Sequence, residues 1–315
     1  MRSASIRPRF WRSSATPPRS SRSCEIARSR PEWLLVDGSS LIFRSFFGNK
    51  ANQRSPDGRS VNAVRGTLDS LARLVETRRP RSIAIASDED WRPAFRVEAL
   101  PSYKSHRVAE PVPPGLVPQL PMIESVLKAI GINWIGKPGY EAEDIIASLA
   151  RKVDKPIEVY SGDRDLFAII RDPDVVILYP EKTGLAVVDE KDVEKRYGIP
   201  GRSYAEFAIL RGDPSDGLPG VPGVGAKTAA GLVRRHKTLD GILDGLDWSE
   251  STRDYIRRAR QVVYPVEDLD LPDPAPGLPT EPADPKALEQ LNRELGIATS
   301  TTRLLNALRA VATVD

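Results

Sequence analysis

The sequence holds one cysteine, Cys24, and two histidines, His106 and His236. A lone thiol excludes an internal disulfide framework and any multi-cysteine zinc site, and two imidazoles leave little for a histidine-built metal centre. Metal chemistry therefore falls to oxygen ligands. Also missing is any apolar run near the roughly 20 residues that span a bilayer, and the N-terminus lacks the apolar core of a secretory signal. The expectation is a cytoplasmic protein with no membrane partner. At 315 residues, 40% hydrophobic and 28% charged, the chain is long enough for one large domain and a smaller one.

The net charge of +3 hides an asymmetry: residues 1–30 carry eight arginines against Glu25, for +7, which leaves −4 for the remainder. This segment is rich in Ser, Arg and Pro, has no apolar periodicity and is expected to be a disordered tail over residues 1–31. A basic nucleic-acid arm and a transit-like segment are both compatible with it; an upstream extension or misassigned start without a role of its own is the favoured reading.

What the chain does have is acids in the right places. Nine carboxylates stand in five short clusters: Asp37 in WLLVDGSS, Asp88 in SIAIASDED, Glu141, Glu143 and Asp144 in GYEAED, Asp163 and Asp165 in YSGDRD, and Asp213 and Asp216 in GDPSDG. From Trp33 onward, apolar runs alternate with helical stretches, the pattern of a parallel sheet with helices on both faces. Ligands bind outside the carboxyl ends of such strands, so acids placed there converge. Converging acids repel one another and raise their own pKa values unless hard cations lie between them. Acids in a helix's first turn are commonplace on their own, since they complement its dipole. The conjunction of GYEAED with SGDRDL about twenty residues later is what points to a magnesium-dependent phosphate chemistry.

Residues 91–121 break the alternation with prolines and basic residues, as a long functional loop or short mobile helices do. Beyond Pro200 short helices surround GDPSDGLPGVPGVGAKTAAGLV. A P-loop is rejected there, because Ala226 separates Gly225 from Lys227 and no strand precedes. A helix-hairpin-helix fits better: Gly220, Gly223 and Gly225 let the backbone approach closely, and amides at the new helix start bind a phosphate, with Lys227, Arg234, Arg235 and Lys237 adding charge. Residues 264–286 are acidic and proline-rich and are expected to lie over the surface, followed by two amphipathic helices that pack back on the body. The predicted boundaries are 32–200 for a catalytic domain, 201–262 for the helix-hairpin-helix unit and 263–315 for the remainder.

With VDGSSLIFRSFF, FRVEALPSYKSHR, GYEAED, SGDRDL and GDPSDGLPGVPGVGAKTA in this order, residues 33–260 resemble the 5′-nuclease family, that is, the flap endonucleases and the 5′-to-3′ exonuclease domain of bacterial DNA polymerase I. The resemblance implies an α/β fold, a PIN-like parallel sheet carrying a helical arch, followed by a helix-hairpin-helix unit that grips duplex DNA, often with a potassium ion. It implies that Asp37, Asp88, Glu141, Glu143, Asp144, Asp163, Asp165, Asp213 and Asp216 hold two magnesium ions, with manganese as a substitute. It places Arg96, Lys104 and Arg107 at the arch base over the scissile phosphate, Tyr103 against a base, Arg44 on a phosphate beside Asp37, and Gly220, Gly223, Gly225, Lys227 and Thr228 on the duplex. Two positions depart from the family pattern. Glu143 stands where Asp is common, which lengthens that arm, and Gly217 stands where Asn is common, a turn substitution expected to be tolerated.

The implied activity is structure-dependent hydrolysis of DNA in replication and repair, on flaps, nicks, 5′ ends or RNA:DNA primer junctions, leaving a 5′-phosphate. The implied agent is a nucleoid-associated, stand-alone monomer, since no polymerase domain follows. A PIN-type ribonuclease, or a nuclease removing RNA primers in the manner of RNase H, is the alternative; the former should lack the hairpin. A catalytically inactive DNA-structure-binding protein should have lost some of the acids.

Overall fold

The computed structural model describes residues 30–48, 53–108 and 112–313. The expected disorder of residues 1–31 lies outside them, except for Arg30 and Pro31. Arg30 already sits on the body, donating to the carbonyls of Arg79, Pro80 and Val311.

The chain begins with β1 (Trp33–Asp37), α1 (Gly38–Gly48), α2 (Asn62–Arg78) and β2 (Ser82–Ala86), then α3 (Ala94–Ala99), α4 (Leu120–Ile130) and β3 (Asn133–Ile135). It continues through α5 (Ala142–Lys152), β4 (Ile157–Tyr160), β5 (Val175–Glu181), β6 (Gly184–Val188) and α6 (Glu190–Tyr197). The strands form one six-stranded sheet in the order β3-β2-β1-β4-β5-β6. Every pairing is parallel except that of β6, which folds back antiparallel on β5.

WLLVD and SIAIA are buried along their whole length, as strands covered on both faces must be. Side chains alternate between two cores. Leu34, Val36, Ile83 and Ile85 face one with α1, α2 and α4, while Leu35, Ala84 and Ala86 face the other with α5. The α2 stripe that fills the first core, Val64, Leu68, Leu71, Ala72 and Val75, has helical spacing, and the helix stops at Arg79 in the left-handed conformation.

Strand order reverses between β1 and β4. The chain steps outward from β1 to β2 and β3, then returns to lay β4 on the other side of β1, which opens a crevice at their carboxyl ends. Asp37 closes β1, and Asp88 and Asp163 follow β2 and β4.

A helical unit follows: α7 (Tyr204–Arg211), α8 (Ala226–His236), α9 (Leu239–Asp244) and α10 (Glu250–Val263). It shares the α5-side core through Tyr204, Phe207, Val233 and Ile256. Residues 264–284 then run without helix or strand along α5 toward β2 and β3, and α11 (Pro285–Leu295) and α12 (Ala298–Ala312) cover α4 and α2.

Two elements differ from the sequence expectation. Helix α1 starts directly after β1, because Gly38 can sit where a Cβ would lie 2.7 Å from the Ala86 carbonyl oxygen. Strand β6 adds an antiparallel edge to a sheet expected to be wholly parallel. Residues 91–121, expected as a long loop or short mobile helices, hold α3, two 3-10 turns and the start of α4 among the described residues.

Candidate metal centre

Asp37 and Asp88 form the wall at the strand ends. Asp37 accepts from the Ser40 amide at 2.9 Å and the Ser161 hydroxyl at 2.6 Å. Asp88 accepts from the Ala142 amide at 2.6 Å and from the Ser39 hydroxyl. Burial, reinforced by the charge of Asp88, pushes the Asp37 carboxyl up to about 7, and burial raises Asp88 as well.

Opposite this wall, oxygens of Glu143, Asp163 and Asp165 all lie within 4.8 Å of one another. Burial raises all three. The charge of Asp216 adds to this for Asp163 and Asp165, and Arg96 works against it for Glu143. Burial also opposes the charge of Asp216, but Lys104, a hydrogen bond with Asp165, and Arg107 outweigh it, so that carboxyl is lowered. The donors here are all carboxylate oxygens, the hard ligands that magnesium takes. Clustered charge of one sign under burial is the condition that a divalent cation relieves, so these residues fit one.

Beneath the acids lies Arg96, wholly buried between the rings of Phe95 and Tyr103. Its guanidinium donates to both Asp144 oxygens at 2.7 and 3.0 Å and to Glu141, and lies 2.8 Å from Glu143. The Tyr103 phenol donates to Glu141 at 2.6 Å, and the Lys104 ammonium is paired with the other Glu141 oxygen. Asp144 also accepts from the Glu141 amide at 3.2 Å and the Val266 amide at 2.8 Å, so two donors occupy each of its oxygens.

The nine acids therefore fall into distinct places. Glu143, Asp163, Asp165 and Asp216 converge, Asp37 and Asp88 face them from the sheet, and Glu141 and Asp144 are spoken for by Arg96 and its neighbours. Asp213 accepts from Arg164 at 3.3 Å, Arg211 at 3.1 Å and the Ser215 amide at 2.9 Å. Arg96 and Tyr103, expected over the phosphate and against a base, are instead buried against the acids at the start of α5, because the carboxylates of Glu141, Glu143 and Asp144 need cations and donors. For the same reason Asp144 has no oxygen left over for a metal.

Lys104, buried and paired with Glu141, and Arg107, partly exposed, lie 4.0 and 3.3 Å from Asp216. Lys104 has φ +46°, and its amide donates to the Asp216 carbonyl at 3.0 Å. Gly217 presses on the same turn: with φ +72°, a Cβ there would come within 2.0 Å of the Ser102 carbonyl oxygen. The longer arm of Glu143 reaches both Arg96 and the Asp163/Asp165 pair. Arg44 is exposed beside the Tyr160 phenol.

In the hairpin, Gly220 has φ +76° and no room for a Cβ, which would meet the Arg211 carbonyl oxygen at 2.6 Å. Gly223 shares that φ but, like Gly225, faces open space. Gly225 starts α8 with no side chain capping it, and Lys227 and Thr228 are exposed in the first turn. Sequence reasoning missed the residues that hold the acids, namely Ser39, Ser40, Ser161, Arg164 and Val266. The only signal was local: DGSS after a strand is a helix N-cap pattern, and it accounts for the Ser40 amide on Asp37.

Residues 32–198 match the family described as 5′-3′ exonuclease, N-terminal resolvase-like domain, and residues 199–272 match 5′-3′ exonuclease, C-terminal SAM fold. The chain belongs to the 5′-3′ exonuclease family. A protein named 5′-3′ exonuclease from Streptomyces coelicolor is 43% identical over 301 residues, covering 88% of this chain and all of that one. One of the same name from Mycobacterium tuberculosis is 44% identical, covering 89% and 98%. The fold is also that of the T5 5′-exonuclease with bound zinc ions (TM-score 0.57, 18% identity, 89% of this chain and 94% of that one). The catalytic core of Rad2 in complex with a DNA substrate is similar at TM-score 0.53 and 16% identity, covering 88% and 92%. Membership makes this exonuclease-family chain a nuclease, a hydrolase of the 5′-3′ exonuclease type. Among the described residues no helix is long and apolar enough to cross a membrane.

Proposed function

We propose that this nuclease cuts DNA at 5′ flaps, nicks and 5′ ends, with two magnesium ions in the crevice and manganese as a substitute. The observation that carries the reading is the convergence of Glu143, Asp163 and Asp165 within 4.8 Å at the crevice where strand order reverses. Those three acids with Asp216 are assigned to one cation, Asp37 and Asp88 to the side facing the sheet, and Glu141, whose two oxygens accept from Arg96, Tyr103 and Lys104, to positioning. When bound, the ions supply a hydroxide nucleophile and polarise the scissile phosphate.

The chain's own residues do the rest. Lys104 and Arg107, beside Asp216, bind and orient the phosphate and offset charge that builds on it during cleavage. Ser39, Ser40 and Ser161 fix the carboxylates of Asp37 and Asp88. Asp144 and Asp213, whose oxygens are taken by protein donors, are assigned to positioning. The open amides at Gly223 and Gly225, with Lys227 and Thr228, hold a duplex phosphate away from the cut.

The test is cleavage of 5′-flapped, nicked, blunt and single-stranded DNA and of RNA:DNA hybrid, in magnesium, manganese or EDTA. Flap and nick cleavage lost in EDTA is the expected result. Activity that survives EDTA overturns the metal assignment, and cleavage confined to RNA overturns the substrate.

A further inference from the structure

We propose that residues 264–273 act as a splint on α5 that positions the metal-site acids, through the Val266 amide and Asp144. This rests on the metal centre proposed above. The segment has no helix or strand of its own, yet its backbone groups are spent on α5. The Val266 amide donates to Asp144 at 2.8 Å, and the Val266 carbonyl accepts from the Ser148 hydroxyl at 2.9 Å. That hydroxyl in turn accepts from the Leu269 amide at 3.2 Å, and Lys152 donates to the Leu271 carbonyl at 2.8 Å. Arg151 pairs with Glu267 at 2.9 Å and Lys152 with Asp273 at 2.5 Å.

The α5 residues involved, 144, 148, 151 and 152, are spaced as one helical stripe. The segment therefore lies along the helix rather than touching it once. Only its first contact reaches the acids. Asp144 grips the Arg96 guanidinium with both oxygens, and the same guanidinium holds Glu141 and Glu143. All of these groups are within a wholly or nearly wholly buried cluster, where a rotated carboxylate has no water to turn to. The Val266 amide fixes the rotation of Asp144, Asp144 fixes Arg96, and Arg96 fixes the arm of Glu143 that reaches Asp163 and Asp165. Val266 and Asp144 are positioning residues in this account, since neither touches the reacting atoms. Ser148 holds Val266 itself in place, whereas the contacts farther along at Arg151 and Lys152 hold the segment down without reaching the acids.

The experiment is calorimetric titration of manganese alone into the full-length protein without DNA, beside urea unfolding in EDTA. Val266→Pro removes the amide donor, and Val266→Ala keeps it. Loss of one hydrogen bond to a charged group corresponds to roughly a tenfold weaker manganese affinity for Val266→Pro, with Val266→Ala at the wild-type value. Ser148→Ala, which keeps the α5 backbone intact, should weaken manganese affinity in the same direction, and it decides the matter if Val266→Pro does not fold. Lys152→Ala should lower stability and leave manganese affinity unchanged. A purely structural strap predicts lower stability in all these variants with manganese affinity within twofold of wild type, and that result overturns the proposal. A wild-type protein that binds no manganese overturns the metal centre itself, and the splint with it.

Discussion

Arg96→Met should be the most damaging single change near the site that touches neither substrate nor metal. The substitution keeps the unbranched stem between the rings of Phe95 and Tyr103 and deletes only the charge and its donors. Glu141 keeps Lys104 and Tyr103, and Asp144 keeps the amides of Glu141 and Val266. Glu143, in contrast, loses the cation 2.8 Å away while staying buried against two aspartates. Breaking a buried ion pair from one side costs about 3–5 kcal/mol, because the abandoned charge is uncompensated. Urea unfolding in EDTA at pH 7.5, followed through Trp33 and Trp134 in the sheet, should show a loss of that size. The sign of the pH effect follows. Without the guanidinium the Glu143 carboxyl, already raised by burial, rises further and takes up a proton in the folded state, so the loss should shrink on acidification to pH 5. Asp144→Asn in the Arg96→Met background should recover part of it, as coupled neighbours do. A loss below about 1 kcal/mol, or one independent of pH, would refute the claim that Arg96 balances these charges.

Asp163→Asn should abolish cleavage while leaving duplex affinity near wild type, checked by single-turnover cleavage beside a gel-shift titration; robust cutting would return Asp163 to an ordinary surface acid. Gly217→Asn accepts the positive φ but not the space, since its Cβ must push the Ser102 carbonyl from 2.0 Å, so it should cost about 1–3 kcal/mol and slow single-turnover cleavage by displacing Lys104. Asp37 binds its proton up to about pH 7 when folded and only to its ordinary 3.8 when unfolded. The metal-free protein should therefore lose up to about 4 kcal/mol of stability through this group as pH rises from 4 to 7. Asp37→Asn should flatten that slope in EDTA, and an unchanged slope would show that the carboxyl is not the source.

The strands and the crevice were legible because WLLVD, SIAIA and IEVY are short, mainly apolar runs, each ending at or near an acid. Helix α1 was less so, because only DGSS marks its start and only the close approach to Ala86 shows why glycine is needed there. Nor was β6, whose exposed Gly184 and Leu185 lack the burial pattern of a covered strand. The set of site acids was visible as a set, but their division was not. Whether Glu141 and Asp144 face a cation or an arginine depends on the path of residues 94–104, and spacing says nothing about whether Arg96 turns inward. Residues 264–286 were expected to lie over the surface; residues 264–284 run along α5 while 285 and 286 open α11, and their bonds to α5 run from backbone to side chain, which hydropathy does not register.

Helix α12 has a consequence for how the chain acquires its structure. It lies on α2, with Arg303 on Asp69 at 2.5 Å and Leu304, Leu308 and Val311 in the core that α2 shares with β1 and β2. One wall of the first-made half of the sheet is thus supplied by residues more than 200 positions later. During synthesis the ribosome releases β1, α2 and β2 long before that wall exists, so their apolar surface waits, exposed or chaperoned, until the last helix emerges. The nascent protein should therefore stay protease-sensitive around α2 until residues 298–312 are out of the exit tunnel, although every acid of the site has by then already been made.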